Sequence, residues 1–248
     1  YCSKKKIEFL STPFDLDSFN LLLSLGLKKI KVSSGNITDF ELLKEIAKHD
    51  LEIFLSTGMA TLGEIEDSIL LLEKYGTSRK KVCLLHCTSQ YPAPKNEVNL
   101  NAIKTLCDAF RVKVGYSDHT EGVEVAIASV ALGARVLEKH ITLDTNMEGP
   151  DHSASLNPSE FKYLIKCIRN IENSFGNGIK FPTISEMENR KIVRKSIVAA
   201  KVINKGDIFS YENLTSKRPG LGISPMHLEK LIGTVSKKTY KKDELINF

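Results

Sequence analysis

Short β-like runs alternate with amphipathic stretches six times between residues 6 and 175, and this rhythm limits the possible folds more than anything else in the chain. The pairs are 6–10 with 16–25, 29–32 with 40–48, 52–55 with 62–74, 82–85 with 100–110, 112–116 with 122–132, and 134–138 with 158–175. Each run is apolar enough for a strand, and each longer stretch repeats its apolar residues at helical spacing. Helix starts carry their own signals. Thr38 with Glu41 and Thr61 with Glu64 have capping-box spacing, and Asn157-Pro158 sets a cap before a helix-opening proline. Strands that alternate with helices form a parallel sheet covered on both faces, either a doubly wound sheet or a (β/α)8 barrel. The six units counted here are two short of a closed barrel.

At the strand ends the residues turn small and polar: Ser11-Thr12-Pro13, Ser33-Ser34-Gly35-Asn36, Ser56-Thr57-Gly58, His86-Cys87-Thr88-Ser89, Ser117-Asp118-His119, and then His140. Hydroxyls and glycines just before helix N-termini suit phosphate or carboxylate, because backbone N–H groups and the helix dipole favour anions. Lys31 adds a positive charge near the second cluster. Taken singly, each cluster is also what turns and caps require. His119 and His140 stand 21 positions apart, just past the ends of two consecutive strands. Such strands are neighbours in a parallel sheet, with C-terminal ends opening on one edge about 5 Å apart. Two converging imidazoles are also able to cap helices or bind a carbonyl, but they fit a divalent metal, and they leave positions free for water or substrate, as a catalytic metal needs. Ser117, Asp118, Glu138 and Lys139 flank them.

With 248 residues, 42% hydrophobic and 26% charged, the chain buries a full-sized core. No apolar run is long enough to cross a membrane and the start carries no signal-peptide pattern, so the cytoplasm is expected. The five cysteines form no CxxC and read as reduced thiols. A net charge of +5 falls in scattered lysine pairs and triplets without interleaved aromatics, which suits a solvated surface and an anionic substrate better than nucleic acid. After residue 175 the pattern breaks at Gly176-Asn177-Gly178 and Phe181-Pro182-Thr183. The expected organisation is a domain over 1–180, a charged linker over 181–195, and a small domain over 196–248. The last has short β-like pieces at 196–202, 208–209 and 214–217 and one short helix opened by Ser224-Pro225.

KVSSGN (31–36), LSTGMATLGEI (55–65), LHCTSQYPAP (85–94), GYSDHT (115–120), ALGARVLEKHITLD (131–144), GPDHSASL (149–156) and KRPGLGISP (217–225) together resemble the sialic acid synthase family, the N-acetylneuraminate synthases and their legionaminic acid relatives. The resemblance is collinear and spans essentially the whole chain. It implies a (β/α)8 TIM barrel followed by an antifreeze-like SAF domain. It also implies condensation of phosphoenolpyruvate with N-acetylmannosamine, or a related N-acetylated mannosamine-type sugar, to a nine-carbon 2-keto acid and phosphate, using Mn²⁺ or Mg²⁺. His119 and His140 match the metal ligands. Thr12, Lys31, Ser34, Ser56 and Ser117 match phosphoenolpyruvate-holding groups, with Ser89 where Asn is frequent. Tyr91 and Asp151 match sugar contacts, Asp151 being the candidate for orienting a sugar hydroxyl or the attacking water. Arg218 matches an arginine that the small domain inserts into the partner subunit's site, which implies a domain-swapped homodimer.

Two departures from the family stand out. Asn36 occupies a position that is usually acidic, and Asn holds a hydroxyl but takes no proton. Family chains also start earlier, so the expected chain is an N-terminally truncated barrel whose open edges make it poorly soluble or dependent on another chain. The alternatives are a legionaminic acid synthase using 2,4-diacetamido-2,4,6-trideoxymannose, a metal-dependent barrel aldolase or another 2-keto acid synthase, and a non-catalytic fragment that binds metal and anion only.

Overall fold

A computed structural model describes residues 1–247, which form two compact units, 1–176 and 177–247. The first unit opens with a single helical turn, α1 (Cys2–Lys5), and then alternates regularly: α2 (Leu16–Ser24), β1 (Lys29–Val32), α3 (Phe40–Ala47), β2 (Glu52–Ser56), α4 (Leu62–Tyr75), β3 (Val82–Cys87), α5 (Ala102–Phe110), β4 (Lys113–Asp118), α6 (Glu124–Ala131), β5 (Leu137–Lys139) and α7 (Pro158–Ser174). All five strands are parallel, in the order β1-β2-β3-β4-β5. This is an open arc of a (β/α) barrel. Single pairings extend it at both edges: Lys31 N donates to the Ser11 carbonyl, and Leu156 exchanges bonds with His140 and Thr142.

The sheet is held by helices packed on one of its faces. One set of alternating side chains, including Ile30, Val32, Ile53, Leu55, Val82, Leu84, Val114 and Tyr116, packs into one core with Phe19, Leu42, Ile46, Ile69, Leu72 and Ile103 from the surrounding helices. At about 25 cal/mol per Å² of apolar surface removed from water, this burial is the main stabilising contribution of the unit. A smaller cluster of Ala126, Leu156 and Leu164 lies under α6 and α7. The other alternating set faces the inside of the arc and determines the site.

Several expectations need correction. Residues 6–10 are not a strand: Ile7 and Phe9 are exposed, and only Ser11 reaches the β1 edge, so the segment lacks both the burial and the ladder that hold a strand. The strand expected at 134–138 lies at Leu137–Lys139. Helix α3 is capped by Asp39, whose carboxylate accepts from Leu42 N, and not by Thr38. The capping boxes at Thr61–Glu64 and Asn157–Glu160 form as expected.

In the second unit most of the stretch read as a connector is helix, α8 (Ile184–Val193), nucleated by a Thr183–Glu186 capping box that the charge run masks. Strands β6 (Ser196–Ala199) and β7 (Leu214–Lys217) pair antiparallel, and bridges join Val198 to Leu245, Ile203 to Tyr240 and Ile208 to Val235. A 3-10 turn, Pro225–His227, leads into α9 (Leu228–Leu231). Ile197, Ala199, Ile203, Phe209, Leu214, Tyr240 and Ile246 make its core. Among the described residues no helix is long and apolar enough to cross a membrane.

Candidate active site

The strand register dictates which side chains meet. Cys87 lies opposite Ser117, and Ser117 opposite Glu138, so these three share a face. Two residues on along the chain, the same face continues to Ser89, His119 and His140. Lys31, opposite Phe54, and Ser56, two positions beyond Phe54, join them from β1 and β2. A cavity of about 500 Å³ results, lined by Thr12, Phe14, Lys31, Ser33, Ser34, Gly35, Ser56, Met59, Cys87, Ser89, Tyr91, Ser117, His119, Glu138 and His140. It sits at the C-terminal ends of the strands, where parallel α/β folds keep their ligands.

His119 and His140 lie with ring centroids 5.3 Å apart at 76°, and Tyr91 packs on His119 with centroids 4.2 Å apart. His119 Nδ1 is 2.8 Å from the Thr88 carbonyl, and a carbonyl only accepts, so Nδ1 carries the proton and Nε2 the lone pair. Burial, reinforced by His140, holds the His119 imidazole below its ordinary pKa, in the neutral form that binds metals. Burial raises the Tyr91 phenol, which stays a proton donor. Ser117 donates to Glu138 Oε1 at 2.6 Å, and Glu138 Oε2 lies 3.5 Å from Lys31 Nζ. Lys31 and Glu138 therefore place opposite charges in one small cavity.

Ser34 Oγ accepts from Gly58 N at 3.0 Å and touches Cys87 Sγ at 3.2 Å. Gly58 packs tightly there: a Cβ at this position would come within 2.2 Å of Ser89 Oγ and 2.8 Å of Ser34 Oγ, so those hydroxyls would have to shift to admit one. Ser56 Oγ is buried and, among the described residues, makes no hydrogen bond. An orphaned buried hydroxyl on a cavity wall fits a site completed by a ligand.

Nine of the sequence candidates thus meet: Thr12, Lys31, Ser34, Ser56, Ser89, Tyr91, Ser117, His119 and His140 all line the cavity. Three do not line it. Asn36 is tied into its own loop, accepting from Ser33 Oγ at 2.6 Å and donating to Asp39 at 3.3 Å. Asp151 stands on an exposed loop with Oδ2 3.9 Å from His140 Nδ1. Arg218 belongs to the second unit, where its Nε donates to the Val193 carbonyl at 2.9 Å. Of the groups flanking the two histidines, Ser117 and Glu138 face the cavity, while Asp118 and Lys139 turn to the opposite face. Glu138 and Cys87 went unassigned in the sequence, although period-two spacing from His140 and Ser89 marks both.

The two imidazoles fit a divalent metal with open positions: one is neutral, is fixed by a backbone carbonyl and turns a lone pair toward the cavity. Among the described residues no group of three or more His, Cys, Asp or Glu stands close enough to enclose an ion, so a closed structural site does not fit.

Comparison with known proteins agrees with this arrangement. The NeuB family model matches residues 1–180 and the SAF domain model residues 194–248. The chain is 56% identical to the N,N'-diacetyllegionaminic acid synthase of Campylobacter jejuni over 99% of its own length and 74% of that protein. It is 44% identical to the enzyme of that name from Legionella pneumophila, over 92% and 65%. The crystal structure of N-acetylneuraminic acid synthetase from Leptospira borgpetersenii, in complex with citrate, superposes with a TM-score of 0.70 at 36% identity, covering 75% of this chain and 65% of that one. The chain belongs to the NeuB family and carries a SAF domain.

Proposed function

We propose that the protein condenses phosphoenolpyruvate with an N-acetylated mannosamine-type sugar to give a nonulosonic acid and phosphate. The observation that carries this reading is that Lys31 and the hydroxyls of Thr12, Ser34, Ser56 and Ser117 line the same cavity as His119 and His140. One ammonium and several hydroxyls suit a phosphorylated carboxylate, and the unpartnered Ser56 Oγ is the donor most in need of such a ligand. Mn²⁺ or Mg²⁺ on the two imidazoles would supply Lewis-acid polarisation of the open-chain sugar aldehyde. The protein's own groups do the rest by orientation. Lys31 and the serines hold phosphoenolpyruvate with C3 toward the aldehyde carbon, and Tyr91, with Asp151 from the loop beside His140, holds sugar hydroxyls. A C3–C1 bond forms, water adds at C2, and the C2–O bond to phosphate breaks. We extend the reading to a homodimer in which Arg218 of a second copy completes the anion site.

Relatives named for N,N'-diacetyllegionaminic acid favour 2,4-diacetamido-2,4,6-trideoxymannose over N-acetylmannosamine as the sugar. The cavity wall supports this, since Phe14 and Met59 line it while 67% and 77% exposed, offering apolar contact to a second acetamido group and a 6-methyl. Mass spectrometry of the product after incubation with phosphoenolpyruvate, Mn²⁺ and each sugar tests the reading. The diacetamido keto acid is expected as the major product. A product only from N-acetylmannosamine would overturn the sugar choice, and no product from either would overturn the condensation.

A further inference from the structure

Directly behind the two histidines lies a buried ion pair for which the condensation has no use. Asp118 and Lys139 are register partners on β4 and β5, their side chains 0% and 1% exposed, with Lys139 Nζ donating to Asp118 Oδ2 at 2.8 Å. They point to the same face as Tyr116 and Leu137, the face that elsewhere on this sheet is apolar core. Asp118 Oδ1 accepts from Tyr116 Oη at 3.2 Å, Thr120 N at 3.0 Å and Thr120 Oγ1 at 2.9 Å, and Lys139 Nζ also donates to the Thr120 carbonyl. Among the described residues, both carboxylate oxygens and the ammonium have partners within this network.

Burying two charges is costly, and an apolar pair of equal volume usually stabilises a fold as well or better. What an ion pair adds is a fixed position, since both ends are held by directional bonds where apolar side chains would slide. Here the two fixed residues immediately precede the two imidazoles: Asp118 comes before His119, and Lys139 before His140. A second side-chain contact between these strand ends, Ser117 to Glu138, lies on the cavity face, so the ion pair ties β4 to β5 from behind.

We propose that Asp118 and Lys139 are positioning residues that set the separation and facing of His119 and His140 for one divalent ion. This rests on the metal reading above. It predicts that the pair matters for metal affinity out of proportion to its weight in stability.

The test is Mn²⁺ titration calorimetry together with thermal melting on the full chain and on the double variant Asp118→Asn, Lys139→Met. That variant removes both charges while Asn still accepts from Tyr116 and Thr120. The expected result is a melting temperature within a few degrees of the parent and Mn²⁺ affinity lowered about 10- to 100-fold, the range for groups that orient metal ligands. Unchanged affinity in the folded double variant would overturn the proposal while leaving the metal reading intact. A parent chain that binds no Mn²⁺ would overturn the metal reading, and the proposal with it. Should the double variant fail to fold, Tyr116→Phe decides, because it keeps both charges and loses one bond to Asp118. Affinity lowered severalfold supports the proposal, and unchanged affinity overturns it.

Discussion

Ser117 gives its single hydroxyl proton to Glu138 at 2.6 Å, and so presents a lone pair to His119 Nε2 at 3.3 Å. With Nδ1 donating to the Thr88 carbonyl, Nε2 has an electron pair and, among the described residues, no proton donor. A cation resolves this arrangement better than a hydrogen bond. Replacing either His119 or His140 with Ala should therefore weaken Mn²⁺ binding by at least about 100-fold, more than loss of an orienting group costs. Calorimetry checks this, and a variant that binds as the parent does would remove that residue from the metal site.

Ser117 itself faces both partners and lines the cavity in which the proposed function seats phosphoenolpyruvate. Ser117→Ala should raise the KM for phosphoenolpyruvate about tenfold, equivalent to one charge-assisted hydrogen bond of roughly 1.4 kcal/mol. Steady-state kinetics at saturating sugar, run beside a thermal melt, separate this from a folding defect. A KM equal to the parent's would mean that the serine only orients Glu138.

Gly58, just past β2, lies against Ser34 from beyond β1 and against Cys87 and Ser89 at the end of β3. Gly58→Ala forces its methyl group into that contact, and overpacking of this kind costs about 1–3 kcal/mol. The expected outcome is a melting temperature lower by several degrees and a larger fractional loss of kcat/KM, since the displaced hydroxyls line the cavity proposed to hold the anion. Full activity would show that the serines have room to move apart.

Leu84 is fully buried between β2 and β4 in the main core. Leu84→Ala should cost about 2–5 kcal/mol in denaturant unfolding of the first unit. Thr61→Ala, which removes only a side-chain cap on α4, should cost about 1 kcal/mol. The reverse order would mean that the sheet is held mainly by its helix ends.

How much was legible in the sequence follows from burial. Strands β1 to β4 each carry apolar residues that pack against the helices, so their positions show as short apolar-rich runs. Residues 6–10 have a similar composition, but Ile7 and Phe9 are exposed, and composition does not show which apolar runs are packed. The two histidines were readable because strand ends in a parallel sheet share an edge. Asp118 and Glu138 look alike in the sequence, and only the β4–β5 register shows that one is buried behind the site and the other opens into it. Helix α8 was hidden by its charges, although Thr183 and Glu186 gave its start.

The most direct test is phosphate release from phosphoenolpyruvate with Mn²⁺, followed with the diacetamido sugar, with N-acetylmannosamine and with no sugar, on the chain and on His119→Ala. The account predicts release that depends on both sugar and metal and is lost in the variant. Release that continues without sugar, or that His119→Ala leaves unchanged, would contradict the claim that one cavity brings the metal, the phosphoenolpyruvate and the sugar together.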